Sequence, residues 1–143
     1  MANSKVETQV TWAAASSVTV SSATVVWSDA FAFHDDDMEA ELQVSVDNSG
    51  TAATGDVCTV YVAYSTGDIL GDSGNDFATV EHSEFVMQLD TYATNTPGED
   101  PARRSSPLRV APTACKVGVS CPNGGVGGRN FVVRARIATA RSA

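Results

Sequence analysis

Met38-Glu39-Ala40-Glu41-Leu42-Gln43-Val44-Ser45-Val46 alternates apolar and polar residues without a break. A period of two puts Met38, Ala40, Leu42, Val44 and Val46 on one face and Glu39, Glu41, Gln43 and Ser45 on the other, which predicts a half-buried β-strand. Asp47-Asn48-Ser49-Gly50 and Thr54-Gly55-Asp56 then read as turns, and the run 57–64 follows with apolar side chains on both of its faces. Such a strand belongs in the middle of a sheet that is covered on both sides.

The same reading extends outward along the chain. Ser17 to Trp27, Phe85 to Leu89, Leu108 to Val110, Ala114 to Cys121 and Phe131 to Ile137 are further strand candidates, the last with Phe131, Val133, Ala135 and Ile137 inward. Pro107 and Pro112 bracket the Leu108 run and suit a short edge strand. Phe77 to Tyr92 follows a helical face only poorly, whereas Phe85, Met87 and Leu89 alternate, so a loop or single turn leads into a strand there. The run 122–128 is a glycine-rich hairpin loop, and a long loop rich in turn residues spans about 93–107. Seven or eight short strands without a capped helix predict an all-β, single-domain β-sandwich with jelly-roll or immunoglobulin-like connectivity. The expected organisation is an N-terminal arm over 1–12 and one sandwich domain over 13–143. A chain of 143 residues with 43% hydrophobic and 18% charged residues has the length and composition for one core.

Charge is distributed unevenly. Residues 1–100 hold all 17 acidic groups and a single basic one, Lys5, while residues 101–143 hold the remaining basic groups and no acidic one. Matching within the domain is the simplest reading, since opposite charges across paired strands contribute about 0.2–1 kcal/mol; two complementary faces for a partner are the alternative. Glu39 and Glu41 against Arg134 and Arg136 is the cross-strand match that the alternation suggests. A net charge of −8 argues against duplex nucleic acid as a partner. No apolar run approaches the roughly 18 residues of a membrane-crossing helix. Residues 1–8 lack the apolar stretch of an export signal, so a cytosolic product is expected. The cysteines point the same way: three is an odd number, and Cys115 and Cys121 on one extended run would lie about 20 Å apart, beyond disulfide reach. Three small buried apolar residues in a reducing compartment is the expectation, and no cysteine–histidine spacing suits zinc.

Several motifs invite chemistry. Gly71-Asp72-Ser73-Gly74 copies the nucleophile tetrad of trypsin-like proteases, but Asn75-Asp76 follows it and neither His34 nor His82 stands in the context of that family's base, so a turn is expected and the chain is read as no enzyme. Asp68, Asp72 and Asp76 recur every four residues, and Asp35-Asp36-Asp37 stand beside His34. Either cluster offers oxygen ligands for calcium, yet neither has the spacing of a calcium loop, so solvated turns and no metal or cofactor are expected. The glycines at 124–128 lack dinucleotide-binding spacing and precede no helix. Trp12, Trp27, Tyr61, Tyr64 and Tyr92 are candidates for a sugar-stacking platform, but Tyr61 and Tyr64 fall on opposite faces of one strand, which favours core or interface packing.

The succession of segments resembles small virion proteins of tailed bacteriophages over nearly the whole chain. The run 12–20 and Ser28-Asp29-Ala30-Phe31 carry it, with the alternating strand ending Val46-Asp47-Asn48-Ser49-Gly50-Thr51. Gly55-Asp56, the 60–64 strand, Ser65-Thr66-Gly67-Asp68, Gly74-Asn75-Asp76, Glu81-His82 and Leu89-Asp90-Thr91 continue it. The resemblance implies a β-sandwich or jelly-roll head decoration (cement) protein, not an enzyme. Made in the host cytoplasm, such a protein binds the outer surface of the assembled head and bridges major capsid subunits, often as a trimer. The contacts are expected on the basic C-terminal third (Arg103, Arg104, Arg109, Arg129) and around Trp12. The alternative is a carbohydrate-binding fibre or adhesin module that contacts a host surface.

Overall fold

The computed structural model describes residues 4–48, 56–79, 82–90, 102–122 and 130–142. Among these residues ten strands are formed: β1 (Ser4–Gln9), β2 (Val18–Val20), β3 (Val26–Trp27), β4 (Phe31–Ala32), β5 (Asp37–Asn48), β6 (Val57–Tyr64), β7 (Glu84–Asp90), β8 (Ala102–Arg104), β9 (Ala114–Ser120) and β10 (Phe131–Arg141). They make two antiparallel sheets. The first has the order β1-β10-β5-β8 with β2 also on β10, and the second β3-β9-β6-β7 with β4 also on β9. β1 and β2 occupy the same edge of β10 at different heights, as β3 and β4 do on β9. Counting each of these broken pairs as one strand gives eight, and apart from β6 to β7 the chain changes sheet at every connection between them. That order is a jelly roll, which decides between the two connectivities expected.

The alternation expected over 38–46 is realised in β5 from Ala40 to Val46, whereas Met38, passed over by the register shift at Ala140/Arg141, is 50% exposed and not on the inward face. Ala40, Leu42, Val44 and Val46 are buried against Val60, Val62, Val117 and Val119 of the facing sheet, with Phe131, Val133 and Ile137 of β10 beside them. Burial of these side chains, at about 1.5–3 kcal/mol each, is what holds the sheets together. The run 57–64 lies between β9 and β7, in the interior of its sheet as expected.

Four expectations are corrected. Residues 4–9, assigned to an arm, are an edge strand paired with β10 from Ser4↔Arg141 to Gln9↔Arg136. The edge strand expected at Leu108 is only a single bridge to Ala40, and the strand on that edge is β8, inside the predicted loop. The cysteines are not all free: Cys58 and Cys121, 63 residues apart, form a disulfide with Cα atoms 4.7 Å apart, and Cys115 alone is a buried thiol. The odd count misled because the partner of Cys121 lies on the neighbouring strand and not on its own. The charge match holds in kind but not in pairing. Arg134 stands opposite Ser45 and Arg136 opposite Gln43, while Glu41 pairs with Arg104, Glu7 with Arg136, Asp37 with Arg141 and Glu84 with Arg109. Each of these joins an acid from the first hundred residues to a base from the remainder.

The connection from β1 to β2 makes a tight turn at Trp12–Ala15, whose two middle residues have positive φ, 47° at Ala13 and 67° at Ala14. Asp29 compensates. Its carboxylate accepts the Ala13 and Ala14 amides at 3.1 and 2.9 Å and the Thr11 hydroxyl at 2.7 Å. The Thr11 and Ala14 donors, in that order, hold its carboxyl below the usual range despite opposing desolvation. Alanine in the left-handed region costs about 1–2 kcal/mol per residue. Ala14→Gly, which keeps the amide that Asp29 needs, is therefore expected to raise stability by about 0.5–1 kcal/mol in urea unfolding.

Candidate functional site

Two solvent-facing sheet surfaces and one loop gather the polar and aromatic groups outside the core. On the first sheet, the register stacks Gln9, Arg136, Gln43 and Arg104 in one row across four strands. A chain of contacts threads this row: Lys5 Nζ meets Glu7 at 2.6 Å, Arg136 meets Glu7 at 2.8 Å and donates through Nε to Gln43, Gln43 donates to Glu41 at 2.7 Å, and Arg104 reaches Glu41 at 2.7 Å. The Arg104 and Gln43 donors hold the Glu41 carboxyl below its usual range. Exposed pairs of this kind contribute about 0–1 kcal/mol each, so their main effect is to fix where the guanidinium groups stand. One row further, Arg134, Ser45 and Ala102 are in register, and the small Ser45 and Ala102 leave a groove of about 760 Å³ between the arginines.

The second sheet carries a different row. Trp27 is in register with Gly118, Gly118 with Tyr61, and Tyr61 with Phe85. The Trp27 ring covers the space that a side chain at Gly118 would fill. Tyr61 and Phe85 meet edge to face, ring centroids 6.3 Å apart at 79°, and Phe85 is 62% exposed. Sequence reasoning named Trp27 and Tyr61 but passed over Phe85 and could not place them together, because the sheet order that aligns them is set by long-range pairing.

The loop that follows β6 is closed by the Ser65↔Phe77 bridge. Its Asp68 carboxylate accepts the amides of Asp72 and Ser73 at 2.9 and 3.0 Å, and Asp76 accepts that of Leu70 at 2.9 Å. One oxygen from each of Asp68, Asp72 and Asp76 lies within 4.8 Å of the others, the one such acidic group among the described residues. These are oxygen donors of a kind that hard cations accept. Ser73 sits in this exposed loop with φ 73°. The other acidic cluster is dispersed: buried Asp37 accepts the His34 amide at 2.8 Å and binds Arg141, while Asp36 contacts the His34 ring. Although burial pushes the Asp37 carboxyl up, Arg141 and the His34 amide together hold it below the usual range.

The expected contact residues are scattered by the fold. Trp12 is only 4% exposed, packs in the core and has no hydrogen-bond partner for its indole Nε1. Contact from this segment is left to the exposed residues 13–16. Arg103 lies on the exposed edge strand and donates to the Gln88 carbonyl at 3.0 Å, joining the edges of the two sheets. Arg104 belongs to the first-sheet row, and Arg109 pairs with Glu84 at 3.1 Å beside Tyr64, whose hydroxyl accepts the Arg109 amide. Arg129 and the glycines at 124–128 lie outside the described residues, as do Tyr92 and most of the loop 93–107.

No family model matches this chain, and no curated protein matches it in sequence. Among solved structures it is similar to the CBM22-1–GH10 modules of Clostridium thermocellum endo-1,4-beta-D-xylanase 10B, determined with xylohexaose. The TM-score is 0.52 at 17% identity, over 96% of this chain and 25% of that one. It is also matched to the dimeric latent PorU of Porphyromonas gingivalis, with TM-score 0.46 and 10% identity over 98% of this chain and 13% of that one. A family 16 carbohydrate-binding module gives TM-score 0.37 and 13% identity over 87% and 79%. The xylanase likeness establishes the β-sandwich, and this chain spans a quarter of that chain's length.

Proposed function

We propose that this chain is a non-enzymatic virion structural protein that docks on the outside of an assembled head through the outer face of its second sheet and bridges neighbouring major capsid subunits. The observation that carries the reading is the row Trp27, Gly118, Tyr61, Phe85, an aromatic surface with its outermost ring 62% exposed. Phe85 stands at 79° to Tyr61, so the two rings offer a knob rather than a flat stacking platform. A knob of this kind fits a pocket on a protein surface, where aromatic anchors provide much of the binding energy. The residue succession that resembles small virion proteins supplies the identity of the partner. It includes two segments that the fold ties together, since Asp29 of one holds the turn of the other.

The test is co-sedimentation with empty heads. Saturable binding at a defined ratio is expected, with Phe85→Ala weakening it at least about tenfold while leaving the fold intact. Absence of binding by the wild-type chain would refute the capsid role. A second reading, a carbohydrate-binding module, is favoured by the fold likeness to the xylanase modules and by the indole and phenol on the same face. Retention on a glycan array by a chain that ignores heads would establish it in place of the first.

A further inference from the structure

The first-sheet groove has an electrostatic character opposite to that of the chain as a whole. In a protein of net charge −8, its walls carry Lys5, Arg103, Arg104, Arg134 and Arg136. Lys5, Arg104 and Arg136 are held on Glu7 and Glu41. Arg134 is different: it is exposed and has no hydrogen bond or ion pair among the described residues. It stands in register with Ser45, and Ser45 with Ala102, two small residues that line the groove beside it. A fixed fork of donors in such a position suits a carboxylate.

The same chain displays a complementary shape. In the loop between β6 and β7, Ile69 and Leu70 are 73% and 74% exposed, next to the converging carboxylates of Asp68, Asp72 and Asp76. Backbone bonds close its base, Thr66 to Asp76 at 2.9 Å and Asp76 to Gly67 at 2.8 Å, so the knob is preformed and little ordering opposes its binding. An apolar tip with an acidic collar matches a groove with a small-residue floor and arginine walls.

We propose that the first-sheet groove of one copy receives the 66–76 loop of a second copy, with Arg134 donating to the loop's carboxylates. Groove and loop are different patches, so the contact is head to tail and leaves one free groove and one free loop until a ring closes. The groove lies on the opposite face from the proposed capsid contact, and the self-contact rests on groove and loop alone.

Analytical ultracentrifugation of the whole chain tests it. Concentration-dependent association is expected, weakening from about 50 mM to about 500 mM salt as the opposed charges are screened. Among the described residues, Arg134→Glu disturbs no partner, and Asp72→Arg gives up only the 3.2 Å bond from Gly74. Each is expected to weaken association at least about tenfold. Neither variant should associate alone, but their mixture retains one intact groove and one intact loop and sets the carboxylate introduced in one variant against the guanidinium introduced in the other, so association should return. A wild-type chain that stays monomeric overturns the proposal, and so does association that neither substitution moves. A groove that binds polygalacturonate through Arg134 while the chain remains monomeric also overturns it, and assigns the groove to an acidic polysaccharide.

Discussion

Breaking the Cys58–Cys121 disulfide is expected to lower stability by about 4 kcal/mol, the loop-closure entropy that a cross-link over 63 residues removes from the unfolded chain. The two residues are fully buried, and the register Thr59↔Ser120 continues to place them face to face across β6 and β9. The bond therefore joins the two inner strands of the second sheet and encloses β7 and β8. Urea unfolding of the oxidised chain, the reduced chain and Cys58→Ala/Cys121→Ala measures the effect. The oxidised form should also show a smaller slope against urea, because its unfolded state exposes less surface. Thiol titration is an independent readout. Native protein should react with no aromatic disulfide reagent, since Cys115 is buried and burial pushes its thiol up to about 12. Unfolding without reductant should release one thiol per chain. Three thiols would mean that the bond does not form and that the reading of three separate cysteines was right.

Gly118→Val is expected to cost about 3 kcal/mol, the upper end of what overpacking does. A Cβ at this position would lie 2.6 and 2.8 Å from two carbons of the Trp27 ring and 2.7 Å from Cγ1 of Val25. Gly118 is buried between β3 and β6, so the strands on either side restrict its own movement and the indole must give way. Valine's preference for strands, up to about 1 kcal/mol over glycine, offsets only part of this. The loss should appear as a lower urea midpoint. The tryptophan emission should shift to the red as Trp27 is driven into water, with Trp12 remaining buried as the unchanged component. Gly118→Ala should show the same signs to a smaller degree. A midpoint that rises would mean that Trp27 does not lie over this glycine. In the capsid assay, the substitution also disturbs the aromatic row without removing a ring from it.

What could be read from the chain was whatever a short window contains. The alternation at 38–46 gave β5 and, from Ala40 onward, its inward face, and the two-sided run at 57–64 gave an interior strand, because burial on one face or both leaves a mark on neighbouring residues. β8 left none: all three of its residues are exposed, and an edge strand with water on both faces has no periodicity to show. The disulfide, the ion pairs and the aromatic row all depend on which strand lies beside which. Glu41 finds Arg104 and not Arg136 because β8 sits on the other side of β5, a fact that no spacing within 39–46 or 131–137 contains. Phe85 was read as one of three alternating apolar residues, yet it points to water where Met87 and Leu89 point to the core, and the register shift between Val60 and Tyr61 sets it opposite Tyr61.

The position of β10 governs the order in which the molecule can be made. Among the described strands it is the one that joins β1, β2 and β5, so of the first sheet only the β5–β8 pair can form until residues 131–141 have left the ribosome. Up to that moment β5, twelve residues long, has its β10 edge bare and its Leu42, Val44 and Val46 face uncovered by the neighbouring strand. Pairings between residues more than a hundred positions apart, such as Ser4 with Arg141, close slowly. The nascent chain thus passes through an interval in which it is open to mispairing with other copies of itself, and folding should be fastest and cleanest where synthesis finishes quickly and newly made copies are kept apart.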